Sequence, residues 1–244
     1  MILEILNSDY DELTKVLLVI GVPVIILLSL SIHECAHALV SYSLGDPTAK
    51  QRGRLTLNPL KHIHPLGTLC MLLFSFGWAR PVPVEPGYYK NPKRGMVFCG
   101  IAGPLVNIMI GVRAYSIHCA MVWFAKNPSV LACVPILNIF TDQLYILVAQ
   151  FFGLLGYYNI LLSVFNLLPV PPLDGSRLAY AFLPEKYYFG IMKNERMIML
   201  VMLVLLWIGL FDLFIDAVFT GISFCVELLV NGGLDLLTSI FSKM

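Results

Sequence analysis

Residues 33–37 read H-E-C-A-H, a pattern that can hold a metal ion. In an α-helix, side chains four residues apart lie on one face, with β-carbons about 5–6 Å apart. His33 and His37 can therefore bind the same ion. Glu34 lies beside the first ligand, where it can act as a general base toward water without binding the metal. The spacing predicts the two-histidine half of a catalytic zinc site.

A chance occurrence is the alternative, because a bare H-E-x-x-H appears in many sequences without a metal. Here, however, the motif ends an apolar run that begins near residue 14. Ionisable groups inside a membrane span cost about 2.5–3.5 kcal/mol each on insertion scales, and they usually mark function. Three such groups within residues 33–37 favour the metal interpretation.

A third ligand is needed, since catalytic zinc generally has three protein ligands and an open position. Asp174 follows the apolar run N-I-L-L-S-V-F-N-L-L-P-V-P-P-L at 159–173. The charge pattern described below places both Asp174 and His33 near the same side of a bilayer. The alternative is a turn aspartate, because L-D-G after prolines is good turn chemistry. We predict that Asp174 is the ligand and that Gly175 supplies the backbone freedom that aims it.

The composition indicates the environment that surrounds these residues. The chain is 58% hydrophobic and 13% charged, whereas soluble domains have about 45–50% apolar and about 25% charged residues. We predict an all-α polytopic membrane protein with a single domain over 1–244. The net charge of +1 comes without a basic block, which argues against a nucleic-acid partner. The six cysteines form no C-x-x-C pair, so no cysteine metal site is expected.

Apolar runs long enough to cross a bilayer define a bundle of four to six transmembrane helices. The candidates are 14–44, 96–124, 144–168 and 197–218, with 128–141 and 220–241 as weaker ones. The last is weak because N-G-G at 231–233 is expected to interrupt it. The catalytic core is expected over about 14–180 and accessory helices over about 197–241.

Basic residues predict the orientation in the cell membrane. The connection 46–95 carries eight of the sixteen Lys and Arg residues, and the connection 169–196 carries four more. By the positive-inside rule both are cytoplasmic, which places the N-terminus outside and the predicted metal site near the cytoplasmic side. Within the first connection, residues 65–84 form a short apolar piece rich in Gly and Pro. We predict a re-entrant extended or hairpin element there, beside the active site.

Several motifs together resemble the site-2 protease family of intramembrane zinc metalloproteases, in its short form without PDZ or CBS domains. They occur in that family's order over about residues 30–180: H-E-C-A-H at 33–37, L-G-D-P-T-A-K at 44–50, G-R-L-T-L-N-P at 53–59, F-G-W-A-R-P-V-P-V at 76–84, A-G-P-L-V-N at 102–107 and F-N-L-L-P-V-P-P-L-D-G at 165–175. The chain departs from the pattern at His64, where an aspartate is expected, and at Ser176, where glycine is common.

The resemblance implies that His33, His37 and Asp174 bind one Zn²⁺ and that Glu34 is the catalytic base. It also points to Asn166 as a group near the reaction centre. The Asn166 amide could donate to a developing oxyanion, or it could make a helix–helix hydrogen bond. The implied substrates are transmembrane proteins, cut within or near their membrane segments. The sequence does not indicate an oligomeric state.

Other polar residues have simpler explanations. For Asn107, a packing role beside Gly103 is favoured. His62 and His64 are expected to be solvated loop histidines, and Asp212 and Asp216 to lie at the membrane interface or near a helix end. Arg113 lies mid-span, where it could face the bundle interior or mark a helix break.

Two rival functions use the same residues. A metal transporter or metal sensor in the membrane could bind an ion through the same His, His and Asp, but transporters usually show internal repeats, and none is found. An inactive relative that binds membrane proteins without cutting them is disfavoured by the intact ligands and Glu34.

Overall fold

The computed structural model describes residues 11–65, 67, 79–127, 130, 142–182 and 194–241. Within these ranges the chain is helical for most of its length. We number the helices α1 (Glu12–Ser43), α2 (Thr48–Gln51), α3 (Pro92–Lys126), α4 (Asp142–Asn166), α5 (Gly175–Phe182), α6 (Glu195–Trp207) and α7 (Asp212–Phe241). Helix α1 includes one π-helical stretch at Leu17–Gly21.

Four helices of the described part are long and apolar enough to cross a membrane. They are α1, α3, residues Gln143–Asn166 of α4 and residues Leu213–Ile240 of α7. The prediction of an all-α polytopic membrane protein is confirmed, and the number falls within the predicted range. The candidate span 128–141 lies outside the described residues apart from position 130.

The predicted boundaries after residue 195 are wrong. The expected span 197–218 is divided, because α6 ends at Trp207 and α7 begins at Asp212. Gly209 in the intervening turn has φ of 73°, a left-handed conformation that favours glycine and ends helices. The N-G-G sequence at 231–233, expected to interrupt a helix, lies inside α7. A β-carbon added at Gly232 or Gly233 would have no neighbour within 4 Å. The two glycines therefore face outward, and their only effect is a lower helix propensity.

Helices α1, α3 and α4 form the core that positions the site. Helix α3 packs closely against α4 through glycines: a β-carbon on Gly111 would lie 2.9 Å from the Ile160 nitrogen, and one on Gly156 would lie 3.0 Å from the Tyr115 α-carbon. Small residues allow membrane helices to approach in this way. Polar contacts also join the three helices. Among them are the hydrogen bonds from Ser163 Oγ to the Pro104 carbonyl and from Asn159 Nδ2 to Ser29 Oγ, each 2.9 Å.

Helix α7 lies on the outside of this core and runs parallel to α3. The Tyr115 hydroxyl donates to Glu227 Oε1 and the Trp123 indole donates to Asp235 Oδ1, both at 2.8 Å. Both partners advance by eight residues between the two contacts, so the helices point the same way. Large apolar residues on the other faces of α7, including Leu213 and Leu229, are exposed, as expected for a surface in contact with lipid.

The connection between α1 and α3 ends in an extended segment, which overlaps the extended or hairpin element predicted over 65–84. Residues 80–85 have no helical assignment, and Ala79 forms an isolated antiparallel bridge with Ile63. Residues 66 and 68–78 of the predicted re-entrant element lie outside the description. Asp46, fully buried just after α1, accepts a hydrogen bond from the backbone of Glu85 at 2.8 Å. The segment is therefore attached to the end of the first membrane helix.

Candidate metal centre

Three potential ligands converge where α1, α3 and the end of α4 meet. Oδ2 of Asp174 lies 2.9 Å from Nε2 of His33 and 3.0 Å from Nε2 of His37. The two Nε2 atoms are 3.1 Å apart, and all three residues are buried. Among the residues that the structure describes, these form the one group of three able to share a metal ion. The predicted pairing of an early histidine couple with a late carboxylate is therefore present in the fold.

The donor set fits a zinc ion. With ligand bonds of about 2.0–2.1 Å, two ligands of a tetrahedral zinc lie about 3.3 Å apart. The observed separations of 2.9–3.1 Å are close to that value. Nitrogen from imidazole and oxygen from a carboxylate are donors that zinc accepts, and three protein ligands leave one position open, as in catalytic zinc sites.

The second nitrogen of each histidine has a partner that fixes the ring. His37 Nδ1 lies 2.6 Å from the Cys99 carbonyl oxygen, so it donates there while Nε2 faces the centre. Cys99 belongs to α3, so this helix supplies the acceptor for a side chain of α1.

His33 Nδ1 lies 3.3 Å from the side-chain amide of Asn107, at Nδ2, and both residues are buried. With Nε2 aimed at the metal position, Nδ1 carries the proton and requires an acceptor. Turning the Asn107 amide by 180° places its oxygen, which is otherwise buried without a partner among the described residues, against the ring. Such outer partners set the tautomer of metal-binding histidines. Asn107 therefore contacts a predicted ligand directly, beyond the packing role that its sequence position suggested.

Gly103 allows α3 to approach the two imidazoles. A β-carbon at this position would lie 2.5 Å from His33 Cε1 and 2.5 Å from His37 Nε2. Real β-carbons essentially never have contacts this short. The close approach predicted for Gly103 is thus present, and its partners are the histidine rings.

Asp174 is held by the turn that joins α4 to α5. A β-carbon on Gly175 would collide with the Leu167 carbonyl, and the φ angle of Gly175 is not positive. The expectation that Gly175 supplies unusual backbone freedom is therefore wrong. Glycine is needed here because the Leu167 carbonyl leaves no room for a side chain.

Glu34 lies next to the first histidine but does not join the three converging groups. Its Oε2 accepts a hydrogen bond of 2.8 Å from the backbone N–H of Val82 in the extended segment. Glu34 is half-buried. This arrangement suits a base that is not a ligand, since one oxygen is fixed and the other remains for a proton.

Comparison with known proteins agrees with this site. The family model for peptidase family M50 matches residues 22–209, which include every residue of the candidate metal centre. The chain belongs to peptidase family M50.

Curated relatives of this M50 chain carry related names. A Bacillus subtilis protein named "Putative zinc metalloprotease YwhC" is 39% identical over 180 residues, which cover 74% of this chain and 77% of that protein. Rip2 of Mycolicibacterium smegmatis, named likewise as a zinc metalloprotease, is 28% identical over 154 residues, 61% of this chain and 52% of its own length. Rip2 of Mycobacterium tuberculosis is 28% identical over 155 residues, with the same coverage. No solved structure matches the chain.

Asn166 in this M50 chain donates from Nδ2 to the Leu162 carbonyl of its own helix, at 2.9 Å. Other residues of α4, including Ser163 and Asn159, make hydrogen bonds to neighbouring helices. A primary amide has a second hydrogen, so the proposed donation to an oxyanion remains a prediction.

Two other expectations for polar residues need correction. His62 is buried rather than solvated, and its Nε2 lies 2.9 Å from the Thr56 carbonyl, because the loop folds back over it. Arg113 neither faces the bundle interior nor marks a break, since it is exposed on the uninterrupted helix α3. Its neighbours on that outer face are Met109 and Ile117. Asp216 is exposed near the start of α7, where a helix-end position was expected.

Proposed function

We propose that the protein is an intramembrane zinc metalloprotease that hydrolyses peptide bonds within or near the transmembrane segments of other membrane proteins. Membership of peptidase family M50 and the names of its relatives make it a zinc metallopeptidase. One observation supports a membrane substrate most strongly. Two of the three converging side chains lie on a helix able to cross a bilayer, and the third follows the end of another such helix.

In this proposal His33, His37 and Asp174 would hold one zinc ion, which would supply the Lewis acid for activating water and polarising the substrate carbonyl. Glu34 takes a proton from the attacking water on Oε1 and later gives it to the leaving amine. Cys99 and Asn107 keep the two imidazoles oriented. The second amide hydrogen of Asn166 is assigned to the developing negative charge of the carbonyl oxygen.

The proposed orientation follows from charges at the metal end of the bundle. Lys50 lies in α2, which packs against the end of α1, and Lys93 and Arg94 begin α3. The opposite end carries Asp11 and Glu12. The positive-inside rule then places the metal end in the cytoplasm and makes it the route for water.

The test uses the full chain purified in detergent, with zinc stoichiometry measured by mass spectrometry and cleavage assayed on a panel of single-span substrates. We expect about one zinc per chain, and Glu34→Gln should keep the zinc and lose cleavage. Glu85→Gln is the matched control, since Glu85 is exposed and contributes only its backbone to the site. Cleavage by Glu34→Gln at the parental rate contradicts the proposal. Zinc movement across liposomes that is independent of Glu34 would support a transporter instead.

A further inference from the structure

The contact between Glu34 and Val82 joins the proposed base to a segment that is remote in sequence. Val82 N–H donates to Glu34 Oε2 at 2.8 Å across 48 positions of the chain. No motif predicts it, because the donor is a backbone amide. Glu34 is held here by a group that belongs to neither α1 nor the metal ligands.

The segment that carries Val82 is fixed on both sides. On one side, Arg80 N–H donates to the His62 carbonyl at 2.7 Å, beside the bridge between Ala79 and Ile63. On the other side, Glu85 N–H donates to Asp46 Oδ2 at 2.8 Å. A short extended stretch with both ends attached has little freedom to move the amide between them.

Asp46 makes the second attachment strong. Its Oδ2 also accepts from Ser41 Oγ at 2.8 Å, and its Oδ1 accepts from the Thr48 backbone at 2.9 Å. Ser41 in turn lies 2.7 Å from the Tyr89 hydroxyl. Burial would raise the pKa of Asp46, but hydrogen bonds from Thr48, Glu85 and Ser41 lower it, which favours the carboxylate form. Glu85 is thereby tied to the last turn of α1, the helix that carries Glu34.

The local sequence directs the donor to one side. Proline has no N–H, so within P-V-P-V at 81–84 only Val82 and Val84 can donate. In an extended chain residues two apart point to the same edge, and the prolines leave the opposite edge without donors. The Val82 side chain is 6% exposed and packs in a cluster with Ala38 and Ala49. This anchor fixes the rotation of the segment, and with it the direction of the amide.

We propose that Val82 is a positioning residue for the proteolytic reaction. Its backbone amide holds Oε2 of Glu34, so that Oε1 faces the water to be deprotonated. This inference rests on the proposed function, because it assigns a task to the proposed base. The segment that adjoins the predicted re-entrant element thus does more than line the site, since it aims the group that moves the proton.

The first experiment detects the hydrogen bond without any catalysis. The zinc-loaded protein is labelled with ¹⁵N-valine in detergent micelles, and the amide proton shifts are compared between the parent and Glu34→Gln. An amide bonded to a carboxylate is expected downfield, and it should move upfield when the acceptor becomes neutral. Val84 is the internal control and should not move. A Val82 resonance that does not respond to Glu34→Gln overturns the proposal.

The second experiment removes the donor and keeps the side chain. Cell-free synthesis with a hydroxy-acid analogue of valine replaces the amide N–H at position 82 by an ester oxygen. The matched control is the same replacement at Val84. We expect the Val82 ester to lower kcat by roughly 10–100-fold with KM nearly unchanged, because misplacing a catalytic group by about 1 Å can cost on the order of 10²-fold. Zinc content and unfolding temperature should match those of the control.

The possible outcomes separate this inference from the proposed function. Equal kcat for the two esters overturns the positioning role while leaving the protease intact. A rise in KM with a fall in kcat, together with lost zinc, assigns Val82 to structure alone and also overturns it. Absence of cleavage by the parent protein overturns the proposed function and the catalytic task of Val82 with it, and the amide shift then reports a purely structural contact.

Discussion

Gly103 and His33 lie so close that α3 has no room for a methyl group at this position. A β-carbon there would lie 2.5 Å from Cε1 and 2.6 Å from Nε2 of the ring. The proposed metal centre therefore depends on the absence of a side chain here as much as on its three proposed ligands.

Gly103→Ala should consequently displace the imidazoles and weaken zinc binding. We expect the variant to lose zinc to a chelator at concentrations that leave the parent loaded, and to cleave poorly. Gly232→Ala is the matched control, since nothing lies within 4 Å of its built β-carbon. In helix α7 that change should raise stability by about 0.5–1 kcal/mol. Parental chelator resistance in Gly103→Ala would contradict the close packing described here.

Asn107→Ala should weaken zinc binding by about 10–100-fold, because outer partners of metal-binding histidines contribute about that much to affinity. Competition with a zinc indicator dye measures the effect. Asn159→Ala is the control: Asn159 is equally buried but contacts Ser29, so it should lower the unfolding temperature without changing zinc affinity. Equal affinity losses in both variants would show that Asn107 acts through general stability.

Asp46 makes a testable contribution to stability against pH. Its pKa is lowered in the folded protein. Its stabilising effect is therefore fully present at pH values above the pKa of an aspartate in the unfolded chain, about 3.9. The effect is lost as the pH falls through the lower folded pKa. Asp46→Asn should thus unfold at a lower temperature than the parent at neutral pH, and the difference should shrink on acidification. Glu85→Gln should track the parent throughout, and a pH-independent gap for Asp46→Asn would contradict the assignment.

The hydrogen bond between Tyr115 and Glu227 should couple α7 to the core by a modest amount. Interhelical hydrogen bonds in membranes average about 0.6 kcal/mol in double-mutant cycles. A cycle of Tyr115→Phe, Glu227→Gln and the double variant, followed by unfolding from detergent, measures the coupling. A coupling energy of zero would show that this hydrogen bond does not help to hold α7 against the core.

The chemistry-bearing side chains were predictable because their spacing has a physical meaning. His33 and His37 share one face of a helix wherever that helix lies in the membrane. The distribution of basic residues predicted that Asp174 lies at a similar depth in the membrane. Cys99 and Val82 could not be predicted in the same way. Cys99 acts through a backbone carbonyl, which every residue has, and Val82 acts through a backbone N–H, which every residue except proline has. The alternation of proline and valine at 81–84 was visible in the sequence, but the group that accepts the Val82 hydrogen bond was not.

The boundaries near the C-terminus were missed for a different reason. Residues 197–241 are apolar almost throughout, so hydropathy does not distinguish a helix end from a helix interior. Gly209 ends α6, whereas Gly232 and Gly233 lie within α7. The three glycines differ in backbone conformation and surroundings, which depend on packing that a single sequence does not display.

The parallel course of α3 and α7 has a consequence for the chain ends. Thr14 near the start of α1 reaches Gln150 of α4 at 3.4 Å, which belongs to the same end of the bundle as Trp123 and its partner Asp235. Glu12 and Phe241 therefore emerge on one face, and the proposed metal site lies toward the other. Enzymatic topology reporters attached before the first helix and after the last should register a single compartment, and a reporter inserted at the exposed Lys90 should register the opposite one.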